Sequence, residues 1–268
     1  MIKSSKLYLS KVKHVKGWFS THDVALFEIC LRLQASKKVE GSILEIGVFE
    51  GKSAILLGTH IGKQEELILC DTFGAVTDGL NQEENLRSYP NLSLSRFLEN
   101  YSRFHLTAPR VFQCRSVELP ALITNSNFRF IHIDGSHLYE NVKFDLDFAT
   151  RLLNKDHGFI VIDDFRAQHT FGVALAVWEM ISQGEYIPIL MTSSKIYLIH
   201  SDSKWTVEEF LASMTGIEYL YEYFGDKKFL RLLGATDANQ YGSGRMIKQF
   251  LPPILVQLIQ KCMKKAVE

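Results

Sequence analysis

The sequence predicts an α/β fold on a mostly parallel sheet, and three observations carry that prediction. Short apolar runs alternate with segments of helical periodicity along most of the chain. The runs are almost continuously apolar, the pattern of strands covered on both faces. The first run ends in an acid and a glycine turn that opens a helix, Glu45-Ile46-Gly47-Val48-Phe49-Glu50-Gly51-Lys52-Ser53.

Each element follows from local pattern. Residues 22–36 place Val24, Phe27, Ile29, Leu31 and Leu33 on a loosely amphipathic helix. SILEIG reads as a buried strand, 53–61 as a helix, and ELILC (66–70) as a second strand closing on Asp71. Residues 74–91 are polar and irregular, and so long a loop inside a compact domain is usually functional or mobile. A helix over 92–104, a strand over 111–114, a short helix over 117–124 and a strand over 128–134 come next. A helix over 139–153, a strand over 159–163 and a helix over 171–183 follow. YIPILM and KIYLIH close the series as a hairpin pair, giving seven strands. WTVEEFLASM and QFLPPILVQLIQKCMKK both look helical. The expected organisation is a helical lead-in over 1–40, an α/β domain over 41–200 and a helical C-terminal extension over 201–268.

Composition narrows the function. Hydrophobic residues make up 46% and charged residues 22%, as in an ordinary globular protein. Thirty basic and thirty acidic residues cancel, which argues against nucleic acid as a partner because phosphate-gripping proteins carry a basic excess. The four cysteines form no CxxC pair, so neither a zinc site nor a disulfide framework is expected. Cys70 and Cys114 read as small buried hydrophobes. The N-terminus lacks the apolar core of a signal peptide, and no run approaches the ~20 apolar residues of a membrane span. A cytoplasmic location is the expectation.

The glycine loop sits where open α/β sheets bind nucleotide-like ligands, at the carboxyl ends of the strands. Two ligand chemistries compete for it. A phosphate loop, G-x-x-x-x-G-K-[ST], needs four residues between the glycines, and GVFEGKS has three. An NTPase therefore stays as the rival, kept alive by the later FIVIDD run. The other ligand is S-adenosylmethionine, which is cationic at sulfur and amine and has no phosphates. Glu45 at the strand end suits such a ligand and repels phosphate. Asp71, 26 residues further on, is placed to accept hydrogen bonds from ribose hydroxyls.

At this point a family resemblance enters. GWFS near residue 17, ILEIGVFEGKSA (43–54), LCDTFGA (69–75), QCRSVELP (113–120), FIHIDGSHLYENVKFDLDFATRLLNKDHGFIVIDDF (130–165) and FGVALAVWEM (171–180) carry it. The chain resembles class I S-adenosylmethionine-dependent methyltransferases of the macrocin and mycinamicin sugar O-methyltransferase type, over residues 17–200. The resemblance implies a Rossmann-like seven-stranded sheet with helices on both faces. It also implies residue roles. Glu45, Gly47, Phe49, Gly51 and Ser53 would line the methionine end of the cofactor. Asp71, Thr72 and Phe73 would hold the ribose, and Arg115, Ser116 and Val117 would flank the adenine. Asp134 would border the cofactor and, with Asp163 and Asp164, bind magnesium. His137 would be the general base. The acceptor implied is a small hydroxylated molecule such as a sugar. The sequence departs from the family at Asp156-His157-Gly158, where two glycines are common, and beyond residue 200.

The implied chemistry is coherent. A hydroxyl is a weak nucleophile until it loses its proton, and a magnesium ion on carboxylates would lower its pKa and orient it. His137 could take the proton near neutral pH. A metal-independent enzyme, with the acids structural, remains the variant, and a cofactor-binding protein without turnover the non-enzymatic rival. His132 reads as structural, and Lys143, Asp145 and Asp147 as solvated or capping groups. The basic amphipathic tail, 245–265, fits either peripheral membrane contact or a helix packed on the domain or on a partner subunit of a homo-oligomer.

Overall fold

The structure, a computed structural model, describes residues 8–75, 79, 83, 92–124, 127–214 and 217–233. The basic tail and most of the polar stretch 74–91 lie outside the described residues. The strands are β1 (Ser42–Ile46), β2 (Leu67–Asp71), β3 (Arg110–Gln113), β4 (Phe128–Ile133), β5 (Phe159–Ile162), β6 (Tyr186–Met191), β7 (Ile196–His200), β8 (Tyr219–Phe224) and β9 (Lys227–Leu232). The helices are α1 (Thr21–Ser36), α2 (Lys52–Gly58), α3 (Leu94–Ser102), α4 (Leu119–Leu122), α5 (Tyr139–Leu152), α6 (Phe171–Ser182) and α7 (Val207–Ser213). Among these residues, no helix is long and apolar enough to cross a membrane.

One sheet runs β3-β2-β1-β4-β5-β7-β6-β9-β8. The five strands from β3 to β5 are parallel, and β7 is antiparallel to both neighbours. This is the Rossmann-like α/β fold expected, with nine strands instead of seven. The two additional strands correct the helical reading of residues 201–268. Only 207–213 is helical in the described part of that stretch. YLYEYF-GD-KKFLRL forms a hairpin around Gly225-Asp226, and β9 pairs with β6. Its two-residue Gly-Asp turn and flanking alternation are a hairpin signature, which the helical reading of the tail passed over.

Period-two alternation splits the buried strands between two cores. Ile43, Phe130, Phe159 and Val161 pack with α1, α2 and α7 residues such as Phe27, Leu56 and Phe210. Leu44, Ile131, Ile160 and Ile162 pack with Val142, Leu146, Val177 and Ile181 of α5 and α6. The same alternation sends Glu45 and His132, paired in register, onto the α1 face.

At the end of the sheet opposite the carboxyl tips, a buried cation ties elements together. Arg129 donates to the Gly41 carbonyl (3.1 Å), the His60 carbonyl (2.7 Å), Gln34 Oε1 (3.0 Å) and both Glu65 oxygens (2.8 and 2.9 Å). Burial pushes Glu65 up, but Arg129 and the Gly62 and Gly41 N–H groups outweigh it and hold the carboxyl below its usual range. Breaking one side of a buried pair leaves the other charge uncompensated. Arg129→Met is expected to cost about 3 kcal/mol of unfolding free energy, read as a lower urea midpoint with an unchanged slope.

Candidate active site

The carboxyl ends of β2, β1, β4 and β5 are held in one row by three backbone hydrogen bonds beyond the strands. Gly47 N–H donates to the Cys70 carbonyl (2.9 Å), Asp134 N–H to Ile46 (2.7 Å) and Asp163 N–H to Ile133 (3.0 Å). The row requires glycine at its centre. Gly47 has φ +85°, and a Cβ there would lie 1.9 Å from the Asp134 carbonyl oxygen. Gly51, at φ +94°, caps α2 where a Cβ would meet the Phe97 ring at 2.7 Å.

Asp71 organises the glycine loop. Its Oδ2 accepts from Val48 N–H (2.7 Å) and Phe49 N–H (2.9 Å), and its Oδ1 from Phe73 N–H (2.7 Å). Burial raises the Asp71 pKa, and the three N–H groups partly offset that. A phosphate loop needs those N–H groups for its anion, and here a carboxylate has taken them. Lys52, the lysine of GKS, instead donates to the Gly17 carbonyl (2.8 Å). The loop is therefore built against phosphate on both counts.

The row opens into a cleft of about 850 Å³. Of the residues expected at the site, Gly47, Phe49, Ser53, Asp71, Thr72, Arg115, Ser116, Val117, Asp134, His137, Asp163 and Asp164 line it. Glu45, Gly51 and Phe73 stand behind the wall, all three buried. The sequence reading missed part of the wall. Gly17 to Ser20 and Asp23 of the lead-in border the cleft, with Trp18 against Phe49 at 5.4 Å between ring centroids. His169, Ser193 and Ser194 border it from the other side. GWFS was a visible signal for the lead-in; the serines lie in a turn with no motif.

Behind the wall lies a compact group of charges. Glu45 Oε1 and His132 Nδ1 are 2.7 Å apart, both side chains fully buried, with the Phe27 ring edge-on to the imidazole. Glu45 Oε2 and His132 Nε2 have no hydrogen-bond partner among the described residues. Burial pushes Glu45 up to about 8, with Ser53 and Lys195 pulling it down. Burial, then the Lys195 charge, pushes His132 down to about 3, so the imidazole is neutral. Lys195, buried at the start of β7, is ion-paired with Asp163 Oδ2. Burial opposes its charge, but Asp163, Asp134 and Asp23 outweigh that and raise its pKa. Asp134 is raised by burial first, then by Asp163.

These charges decide how well magnesium fits. Asp163 is committed on both oxygens, Oδ2 to Lys195 and Oδ1 to the Asp164 N–H (2.8 Å). Asp164 is paired with His137, its Oδ2 2.9 Å from His137 Nε2. Among the described residues, the donor group close enough to share an ion is instead His132, Asp134 and Asp163, with ligand atoms within 4.8 Å of one another. The Lys195 ammonium, bonded to one of the three, lies beside it. A divalent ion and an ammonium roughly 4–5 Å apart repel by roughly 7 kcal/mol at an effective dielectric of about 20. The donor set does not fit magnesium while Lys195 is protonated.

His137 and Asp164 form the second acid–base pair. The imidazole holds the Asp164 carboxyl below its usual range. Asp164 adopts φ +55°, a left-handed backbone that turns its side chain toward the cleft residues. Asp145 departs from the solvated role expected for it. It points inward from α5, is 1% exposed, and its Oδ1 has no partner among the described residues. Burial pushes it up to about 7, with the Ser116 hydroxyl opposing. The signal was its place on the apolar face with Val142, Leu146 and Ala149. Cys70 and Cys114 approach to 4.0 Å between sulfurs as free thiols.

Residues 44–165 match the family model of a methyltransferase domain. No curated protein sequence matches the chain significantly. Among solved structures, the O-methyltransferase NovP superposes with a TM-score of 0.56 at 20% identity, covering 67% of this chain and 80% of its own. TomG from Streptomyces achromogenes, an O-methyltransferase crystallised with S-adenosylmethionine, gives 0.45 at 16%, covering 75% and 89%. The calicheamicin methyltransferase CalS11 gives 0.49 at 15%, covering 74% and 91%.

Two outcomes follow from the geometry. Gly47→Ala is expected to separate the β1 and β4 tips and to abolish cofactor-analogue binding by calorimetry; unchanged binding would show that the row is not needed. Glu45 keeps its proton to about pH 8 when folded, whereas unfolded it ionises near 4.3. Its contribution to stability therefore falls as pH rises between those values. Glu45→Gln is expected to remove that fall, so that the melting temperature of wild type drops relative to the variant from pH 5 to pH 8.

Proposed function

We propose that the chain, whose residues 44–165 match the model of a methyltransferase domain, is an S-adenosylmethionine-dependent methyltransferase that transfers a methyl group to a hydroxyl of a small polar acceptor such as a sugar. The observation that carries this reading is Asp71. Its carboxylate is oriented by three backbone N–H groups at the rim of the cleft and keeps one Oδ1 lone pair for a ribose hydroxyl. Arg115, Ser116 and Val117 flank the adenine position, where the unpartnered Asp145 oxygen offers an acceptor for an exocyclic amine. Gly47 and Ser53 border the methionine end.

Bound S-adenosylmethionine supplies a methyl carbon already activated by positive sulfur. What remains for the protein is to orient the acceptor and to take its proton. His137 is the proposed base, and Asp164 fixes the imidazole and stabilises its cation, the division of labour known for acid–histidine pairs. Asn141, His169, Ser193 and Ser194 supply the hydrogen-bonding wall that a polyhydroxylated acceptor needs. The bond formed joins the acceptor oxygen to the methyl carbon, the carbon–sulfur bond breaks, and the proton passes to His137.

Calorimetric titration tests the reading. One S-adenosylhomocysteine is expected to bind per chain and ATP not at all, with Asp71→Ala weakening the former about 100-fold. ATP binding in place of S-adenosylhomocysteine would overturn it. On an acceptor found by screening sugars, His137→Ala is expected to lower kcat about 10²–10⁴-fold with little change in KM. Cofactor binding without turnover on any acceptor class would leave a binding protein in place of an enzyme.

A further inference from the structure

We propose that the Lys195 ammonium is a built-in counter-ion, standing where a divalent cation would otherwise sit among the acids at the strand tips, so that this site takes no metal. The placement follows from register. β7 runs antiparallel to β5 with Ile196 opposite Ile162. One step further along the pair, Lys195 falls opposite Asp163, at the level of the carboxylates. The turn before β7 fixes it there: Lys195 N–H donates to Thr192 Oγ1 (2.8 Å), Thr192 N–H to the Lys195 carbonyl (2.8 Å), and Phe165 N–H to the Ser194 carbonyl (2.9 Å).

The surroundings are those of a cation site. Asp163 pairs with the ammonium directly, and the donor atoms of His132, Asp134 and Asp163 lie within 4.8 Å of one another. His132 presents a buried nitrogen with no partner among the described residues, and Glu45 holds its other nitrogen. A carboxylate–histidine relay of this kind orients imidazoles toward metal ions. Here it faces a lysine whose stem is buried and whose charge also lies 5.9 Å from the Phe19 ring centroid. Of the three donors on the ammonium, one is spent on Asp163, and its charge acts on Asp134 and His132 through space. Lys195 itself is not on the cleft wall. It acts through Asp163 and Asp134, which are, and is therefore a positioning residue.

The test uses Mn2+ as probe, followed by loss of its free-ion electron paramagnetic resonance signal, on the full-length protein with and without S-adenosylhomocysteine. Wild type is expected to leave the signal unchanged. Lys195→Met removes the charge and keeps the stem, and is expected to bind one Mn2+ at least about tenfold more tightly than wild type. Adding Asp134→Asn is expected to abolish the gain. Lys195→Gln serves as the second neutral variant if the methionine variant does not fold. A lysine that merely filled space would give no gained metal site. Mn2+ uptake by wild type equal to that of the variant overturns the proposal, as does a folded neutral variant that takes none. The inference rests on the methyl-transfer reading only for the identity of the cleft. Failed S-adenosylhomocysteine binding with a gained Mn2+ site would sink that reading and leave this one standing.

Discussion

Everything at the site depends on how closely the backbone after β1 passes the backbone after β4. The hydrogen bonds that link Cys70 to Gly47, Ile46 to Asp134 and Ile133 to Asp163 extend the sheet past its regular strands. Side chains at those positions then have no freedom to diverge. An acid or loop N–H placed on one tip is automatically a neighbour of the acid on the next. The space between the tips is so narrow that only a residue without Cβ fits at Gly47. The ligand cleft is thus a property of the sheet edge, and the helices contribute walls to a place the strands have already defined.

That crowding creates an electrostatic problem. Glu45, Asp134, Asp163 and Asp164 lie together at neighbouring strand tips. Three separate solutions are visible. Glu45 keeps its proton beside a neutral His132, Asp163 is compensated by Lys195, and Asp164 by His137. Only the last of these faces the cleft with both partners partly exposed, which is where proton exchange with a ligand can occur. The Glu45–His132 pair is fully buried and Lys195 lies behind Asp163, so these two fix the geometry and potential felt at the wall.

Much of this was legible beforehand. The alternation of apolar runs located the seven strands of the basic fold because strands covered on both faces must be apolar throughout. The glycine loop announced itself because conformational freedom at Gly47 has no substitute. Asp71, Asp134, Asp163 and Asp164 were readable as acids at strand ends. What could not be read was how they pair, since pairing depends on register across strands far apart in the chain. Lys195 looked like an ordinary residue at the start of an apolar strand until β7 was seen to run antiparallel beside β5. Asp145 reads as a solvated or capping acid because its helix has charged neighbours at Lys143 and Asp147, whereas the fold buries it. The β8–β9 hairpin was less legible because its strands are only partly buried and lack the continuous apolar run of the others.

The lead-in has a further meaning for the unit that does the work. Tyr8 donates to the Lys52 carbonyl (2.7 Å), Lys52 to the Gly17 carbonyl (2.8 Å), and the Trp18 ring packs at a tilt against Phe49. These contacts weave a segment from outside the family-matched 44–165 stretch into the cleft itself. Inheritance of the matched stretch alone would therefore transmit a scaffold with one side of its chamber missing. A change in the N-terminal strip would therefore reshape one wall of the chamber and leave the strand tips as they are.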